Sequence, residues 1–414
     1  MFSSKRSKSG KKALGYGIDI GNSSVKYVQL GKGIISNKVM ITDCGMIDFS
    51  QKAVAQPRER EVEFADILNK IVGEKNLSAG VYLSVPAQEV KSVLLDLPDM
   101  PRQELNKAIG WALTQEGEKI NLEDYSYDYI PVTNLSKEKN NLNSFFTVAV
   151  RRKAAMHLVN LFEAQNVTVN AIDVAPMAEM AALFMAGYLA KDNKVTLVLN
   201  VRNTRTTLSV VCNGEVYFLR NISVGGMSFT SSFQKALGVG FEEAEEIKRN
   251  APSSIELAGP KKDEQEEASP TDIAAVLGTA PPKPSIEEAN LSNEGVSSLS
   301  GENARENLIA SALRENFETL IQNIERDFKF FSFQVSRSVV QSYDKIIVTG
   351  GGASMEAFPK YLSEKLGTEV EVVKLFDKVK LSPEMAERYD KEFLDSISPR
   401  MITAVGLAQR GLKL

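Results

Sequence analysis

Three glycine turns, each set beside a run of strand-forming residues, constrain this chain more than any other feature. The first, Gly17-Ile18-Asp19-Ile20-Gly21-Asn22-Ser23-Ser24-Val25-Lys26, is an apolar strand that ends on an acid, turns through small residues and returns with a lysine. The second is Gly225-Gly226, directly before a helix-forming run. The third is Gly350-Gly351-Gly352, which closes the apolar run Lys345 to Thr349 and precedes another helix. Small residues let backbone amides approach an anion closely, and a helix that starts there adds its unpaired N–H groups. In the first turn Asp19 would hold a hydrated Mg2+, and Lys26 would meet phosphate oxygens as a point charge. Any one of these turns is equally an ordinary hairpin or helix start, so the weight lies in their order along the chain.

Between the turns, strand and helix patterns alternate. Residues 14 to 30, with Gly31 and Gly33 before Ile34 to Ile41, read as antiparallel strands. Val62, Ala65, Ile67, Leu68 and Ile71 fall at helical spacing, and Gly80 to Val85 is a short apolar strand. Val90 to Leu97 and Phe145 to Val150 read as strands, and Pro101 to Thr114 and Lys153 to Ala164 as helices, the first opened by a proline at its first turn. Ala79 to about Asn170 thus has the content of one small α+β unit. Lys194 to Val211 reads as one β stretch, turned by Asn213-Gly214 into Val216 to Ile222. This second hairpin resembles the first and suggests two related halves. Leu308, Leu313, Phe317, Leu320, Ile321, Ile324, Phe328 and Phe331 predict one long helix.

Composition narrows the function classes. A formal net charge of −4 across 414 residues argues against the broad basic face that nucleic-acid binding requires. The two cysteines, Cys44 and Cys212, are expected at strand ends far apart, which supports neither a disulfide framework nor a Cys-based metal site. His157, the single histidine, reads as a solvated or half-buried helix residue, which argues against histidine-based catalysis. The apolar stretch Ala175 to Ala190 is interrupted by Glu179 and Gly187 and falls short of the ~20 residues a bilayer core demands. Residues 1–12 carry Lys5, Arg6, Lys8, Lys11 and Lys12 and read as a disordered basic tail. Six of the fifteen prolines lie between Ala251 and Gly301, and no aromatic residue occurs between Phe241 and Phe317, so 251–301 reads as a flexible insert.

An Asp-Ile-Gly hairpin, a second hairpin ending in a glycine pair, the helix Ala244-Glu245-Glu246-Ile247-Lys248 and the turn Thr349-Gly350-Gly351-Gly352 resemble, in that order, the actin, sugar kinase and heat-shock ATPase superfamily. Within it the chain resembles the PilM family of type IV pilus assembly proteins, relatives of the division protein FtsA. Leu97-Pro98-Asp99-Met100-Pro101, Glu104-Leu105 and Ala108-Ile109-Gly110-Trp111 are the more distinctive match. Ala171-Ile172-Asp173-Val174-Ala175-Pro176-Met177-Ala178 resembles the helix connecting the two halves, and Thr403-Ala404-Val405-Gly406-Leu407-Ala408 the closing helix.

The resemblance implies an α/β fold, actin-like (ribonuclease H-like) and two-lobed, with a small α+β subdomain inserted in the first lobe. Residues 13–78, 171–190 and 397–414 would form the first core subdomain, and 79–170 the insert. Residues 191–228 and 344–396 would form the second core subdomain, with 229–343 as the smaller subdomain of that lobe. A cleft for ATP and Mg2+ would be lined by Asp19, Gly21, Asn22, Ser23, Ser24 and Lys26, and by Asn200 and Arg202 of the second hairpin. Gly225, Gly226, Glu245, Lys248, Gly350, Gly351 and Gly352 would complete it, with Glu245 and Lys248 near ribose and base and the Ser354-Met355 helix start beneath the adenine. Asp19 would be the metal ligand.

One departure bears on chemistry. Where the family has Asp-Ile-Gly or Asp-Val-Gly, this chain reads Asn200-Val201-Arg202. A metal-facing carboxylate becomes an amide and a glycine becomes a long cation, which predicts an occluded site or very weak turnover rather than a competent ATPase. The expected role is therefore a cytoplasmic scaffold of pilus assembly, peripheral at the inner membrane through its partners. It would bind the N-terminal peptide of a membrane-anchored PilN-like protein and other pilus assembly proteins, without nucleic acid. The alternatives are an active ATPase or phosphotransferase of the same superfamily, and an FtsA-like filament former, for which the Arg410 to Leu414 tail is too short to supply an amphipathic membrane helix.

Overall fold

The computed structural model describes residues 14–32, 39–115, 120–135, 142–251 and 301–412. Its strands are, in chain order, β1 (Tyr16–Ile20), β2 (Ser24–Lys32), β3 (Val39–Asp48), β4 (Val81–Val85), β5 (Val90–Pro98), β6 (Tyr125–Val132) and β7 (Leu142–Arg151). There follow β8 (Val169–Val174), β9 (Val195–Val201), β10 (Thr206–Cys212), β11 (Glu215–Ile222), β12 (Lys345–Thr349), β13 (Glu369–Val372) and β14 (Lys380–Leu381).

Two sheets share one topology apart from the edge strand β14. The first runs β14-β3-β2-β1-β4-β8 and the second β11-β10-β9-β12-β13. In each, a three-strand antiparallel meander is extended by two parallel strands beside its first member: β1 and β9 occupy equivalent places, as do β4 and β12. The two related halves suggested by the hairpins are therefore present as repeated strand order. β10 is buried along its whole length, as a strand covered on both faces must be.

The closing helix Ile402–Gln409 packs on β1 and against the helix Ala175–Met185, and all three are apolar where they meet. A Cβ on Gly406 would lie 1.7 Å from the Ala178 carbonyl oxygen, so only glycine permits this approach. In the second lobe, Phe317 of the helix Gly301–Phe330 is fully buried and sits 5.2 Å, centroid to centroid, from both Phe229 and Phe358. That cluster anchors the long helix against the helices Gly226–Leu237 and Ala357–Leu366.

A third sheet, β5-β7-β6, packs its Leu95, Phe145 and Ala149 against Ile109, Ala112 and Leu113 of the helix Arg102–Gln115. Pro131 lies in β6, an edge strand, where a missing N–H is tolerated. This unit also covers the free edge of the second sheet: Asn221 donates to the Ala87 carbonyl at 2.9 Å and Tyr217 to the Thr133 carbonyl at 2.7 Å.

Several boundaries differ from the sequence reading. Residues 81–85 and 169–174 pair within the first large sheet, so the inserted unit is narrower than 79–170. Ala171 to Val174 are strand, and the helix starts at Ala175, with Pro176 in its first turn. Lys194 to Val211 is two strands broken at 202–205, not one, because Arg202 N–H donates to the Arg205 carbonyl and reverses the chain. β14 and the helix Pro383–Arg388 pack on β3, so the last part of 344–396 lies against the first sheet. Cys44 is inside β3 rather than at its end; both cysteines are buried and unpaired, and burial pushes each thiol up to about 12. His157 is exposed on its helix as expected. The basic tail 1–12 and nearly all of the 251–301 insert lie outside the described residues. Among the described residues no helix is long and apolar enough to cross a membrane.

Candidate functional site

A cleft of about 430 Å³ opens between the lobes, at the ends of β1 and β9. It is lined by Asp19, Gly21, Asn22, Ser23, Ser24 and Lys26 from the first hairpin, and by Asn200 and Arg202 from its counterpart. Gly226, Glu245, Lys248 and the Gly350-Gly351-Gly352 turn complete the wall. The two hairpin turns meet directly: Asn22 Nδ2 donates to Thr204 Oγ1 at 2.9 Å. The Asn213-Gly214 turn lies at the opposite end of β10 and takes no part.

Gly225 is the expected site residue that does not line the cleft. Its Cα packs on the 202–205 turn, and the N–H groups of Gly226 and Met227 donate to the Arg202 and Asn203 carbonyls at 2.9 and 2.7 Å. The first amides of the helix Gly226–Leu237 are thus consumed in bracing the second hairpin rather than offered to an anion. Gly350 adopts φ 84°, the left-handed region, with its N–H on the Pro399 carbonyl at 2.8 Å. Gly351 is exposed, and Gly352 sits against Val201.

The charges converge on Asp19. Lys26 Nζ lies 3.3 Å from Asp19 Oδ2, and Arg202 Nη1 3.9 Å from Asp19 Oδ1. Burial opposes ionisation of Asp19, but Lys26 and Arg202 outweigh it and hold the carboxyl below its ordinary range. Lys26 is pulled down by burial and by the nearby Arg202 and Arg400 guanidiniums, against the attraction of Asp19. Arg202 is also tethered across the cleft, Nη2 donating to Thr403 Oγ1 at 3.0 Å. Glu245 and Lys248, three apart on one helix face, pair with each other; Lys248 Nζ donates to Thr230 Oγ1 at 2.9 Å and to the Gly226 carbonyl at 3.3 Å. Burial lowers the Lys248 ammonium despite the Glu245 carboxylate.

The sequence reading passed over three contributors. Glu179 is 1% exposed, accepts from Asn200 Nδ2 at 3.2 Å and from the Thr349 hydroxyl, and its carboxyl is raised by burial. Its signal was visible as a lone acid inside an apolar helix. Arg400 Nη2 donates to Asp48 Oδ1 at 2.7 Å and to Ser24 Oγ at 3.3 Å, and Thr403 receives Arg202. Both lie near the end of the chain, and no local pattern connects them to the cleft.

The sequence model described as Type IV pilus assembly protein PilM matches residues 17–257 and 296–412. The chain belongs to the PilM family. Its structure is similar to a solved one titled a PilM-PilN type IV pilus biogenesis complex, with TM-score 0.69, 20% identity, and coverage of 97% of this chain and 100% of the other. Looser likenesses are to the ethanolamine utilization protein EutJ from Carboxydothermus hydrogenoformans, with TM-score 0.46, 13% identity and coverage of 95% and 89%. MreB5 of Spiroplasma citri bound to ADP matches with TM-score 0.43, 16% identity and coverage of 94% and 99%. The fold of this PilM-family chain is actin-like, two lobes of repeated topology about a cleft, with an inserted α+β unit.

Within that cleft the donor set does not fit a divalent metal. Asp19 is already bracketed by two cations and position 200 is a neutral amide, so a metal there would find a single carboxylate that is already paired. An anion does fit. Six basic side chains line the cleft against three acidic ones, Asp19, Asp48 and Glu245.

Proposed function

We propose that this chain is a scaffold of type IV pilus assembly that works at the cytoplasmic face of the inner membrane. Its first lobe, with the inserted three-stranded sheet, receives the N-terminal cytoplasmic peptide of a membrane-anchored PilN-like protein. Its cleft binds a nucleotide such as ATP but does not turn it over at a useful rate. The observation that carries this reading is the family match, which takes in both lobes and the inserted unit. The solved relative is titled as a complex of PilM with PilN, which supports the same partner here.

The geometry argues for recognition rather than hydrolysis. Lys26 and Arg202 would face the phosphates, Glu245 and Lys248 the ribose and base, and Gly351 and Gly352 would flank the base with Ser354 and Met355 beneath it. Attack on a phosphoryl group needs a positioned water and compensation of charge as it develops, a task given in most such sites to a carboxylate-held metal. Asn200 and Arg202 supply no carboxylate for that metal.

Isothermal titration of the full chain with a synthetic N-terminal peptide of the PilN-like protein from the same operon tests the partner. Saturable one-to-one binding, lost with a scrambled peptide, is the expected result. An inert wild-type peptide would overturn the scaffold reading. Rapid magnesium-dependent release of phosphate from ATP would overturn the non-hydrolytic one.

A further inference from the structure

We propose that the cleft takes its nucleotide as the free polyphosphate anion, with the Arg202 guanidinium in the place of a divalent cation. This rests on the reading of the cleft as a nucleotide site and adds how its charge is met.

The chain as a whole carries −4, yet the side chains lining this cleft sum to +3. A site of that sign favours the more negative ligand, and uncomplexed ATP is more negative than its magnesium complex. Asp19 is the one carboxylate at the end of β1, and it already faces Lys26 at 3.3 Å and Arg202 at 3.9 Å; a metal there would be a third positive charge at a single carboxylate.

Position 200 cannot supply the missing acid. Asn200 Nδ2 donates to the buried Glu179, so a carboxylate at 200 would stand against another carboxylate. The amide spares that conflict and leaves Asn200 Oδ1 buried without a hydrogen-bond partner.

Arg202 is built for the role. Thr403 fixes one end of a guanidinium that carries five N–H donors, so the others can fork onto phosphate oxygens without the ordering cost of a free side chain. Because Arg202 comes from the second lobe while Asp19 and Thr403 belong to the first, an anion bound there would also hold the two lobes together.

Equilibrium dialysis of radiolabelled ATP against the full chain, in excess EDTA and in excess Mg2+, tests the inference. Wild type is expected to bind in EDTA at least as tightly as in Mg2+. Arg202→Gln keeps a polar group for Thr403 but removes the charge, and should weaken binding in EDTA by about tenfold or more, the order expected for a charge-assisted contact. Arg202→Lys should recover part of that loss. Thermal melts of each variant would establish that it folds.

Binding by wild type only in the presence of Mg2+ would overturn this inference and leave the nucleotide reading standing. Tighter binding by Arg202→Gln than by wild type would overturn it too, and would identify Arg202 as a plug in the phosphate site. No binding by wild type in either buffer would overturn both the inference and the nucleotide reading.

Discussion

Asn200 and Glu179 meet across the base of the cleft, Nδ2 to Oε2 at 3.2 Å, and both side chains are buried. The contact joins the end of β9 to the helix Ala175–Met185 of the other lobe. It gives a physical reason for an amide at position 200: the neighbouring site is already held by a carboxyl group.

Asn200→Asp is therefore expected to destabilise the fold by roughly 2–4 kcal/mol at neutral pH, since two buried carboxyl groups cannot both ionise at this distance. Adding Glu179→Gln should recover most of that loss. Urea unfolding of the two single variants and the double variant gives the coupling directly; additive effects would contradict the account.

Glu179 also predicts a pH dependence. Its folded carboxyl is raised above the ordinary 4.5, with burial the leading cause. The stability it contributes is complete below about that value and is lost as pH rises through the folded value, because the unfolded chain releases the proton first. Relative to wild type, Glu179→Gln should gain stability steadily from pH 4.5 upward, read as the difference in urea midpoint at fixed slope. A difference independent of pH would show that Glu179 is ionised in the folded protein.

Phe317→Ala removes a ring enclosed by Phe229, Phe358 and Tyr361. A loss of about 3–5 kcal/mol is expected from the cavity and the lost burial. Calorimetric melting should show it as a lower Tm. Truncation of Val62, which is exposed on the helix Pro57–Glu74, should change Tm little by comparison.

Gly406→Ala tests the wedge formed by the closing helix. Its Cβ would lie 1.7 Å from the Ala178 carbonyl oxygen, so the helices must separate, at a cost of about 3 kcal/mol from overpacking. Gly367→Ala puts its Cβ in open space but at φ 61°, so strain rather than collision should set its smaller loss. Parallel urea titrations distinguish the two.

Much of this molecule was legible along the chain. The strand–turn–strand segment from Tyr16 to Lys26, the long helix through Phe317 and the glycine turn after Thr349 follow from side-chain period and turn chemistry, which act over a few residues. The order of the turns carried the resemblance to the actin superfamily, that resemblance implied a cleft between two halves, and all but one of the residues it placed there line it. The exception, Gly225, has local chemistry that suits an anion as well as it suits a tight turn; only its neighbours at 202–205 decide between them.

What the sequence determined by itself was the kind and order of most of the elements, because propensity, burial period and turn residues are properties of neighbours in the chain. The tertiary structure alone decided the partners: Glu179 with Asn200, Arg202 with Asp19 and Thr403, Arg400 with Asp48, and β14 returning to β3. Those pairs are separated by 21 to more than 300 positions. Such contacts depend on burial, backbone pairing and proximity of charge between residues far apart in the chain, which exist only once the chain has folded.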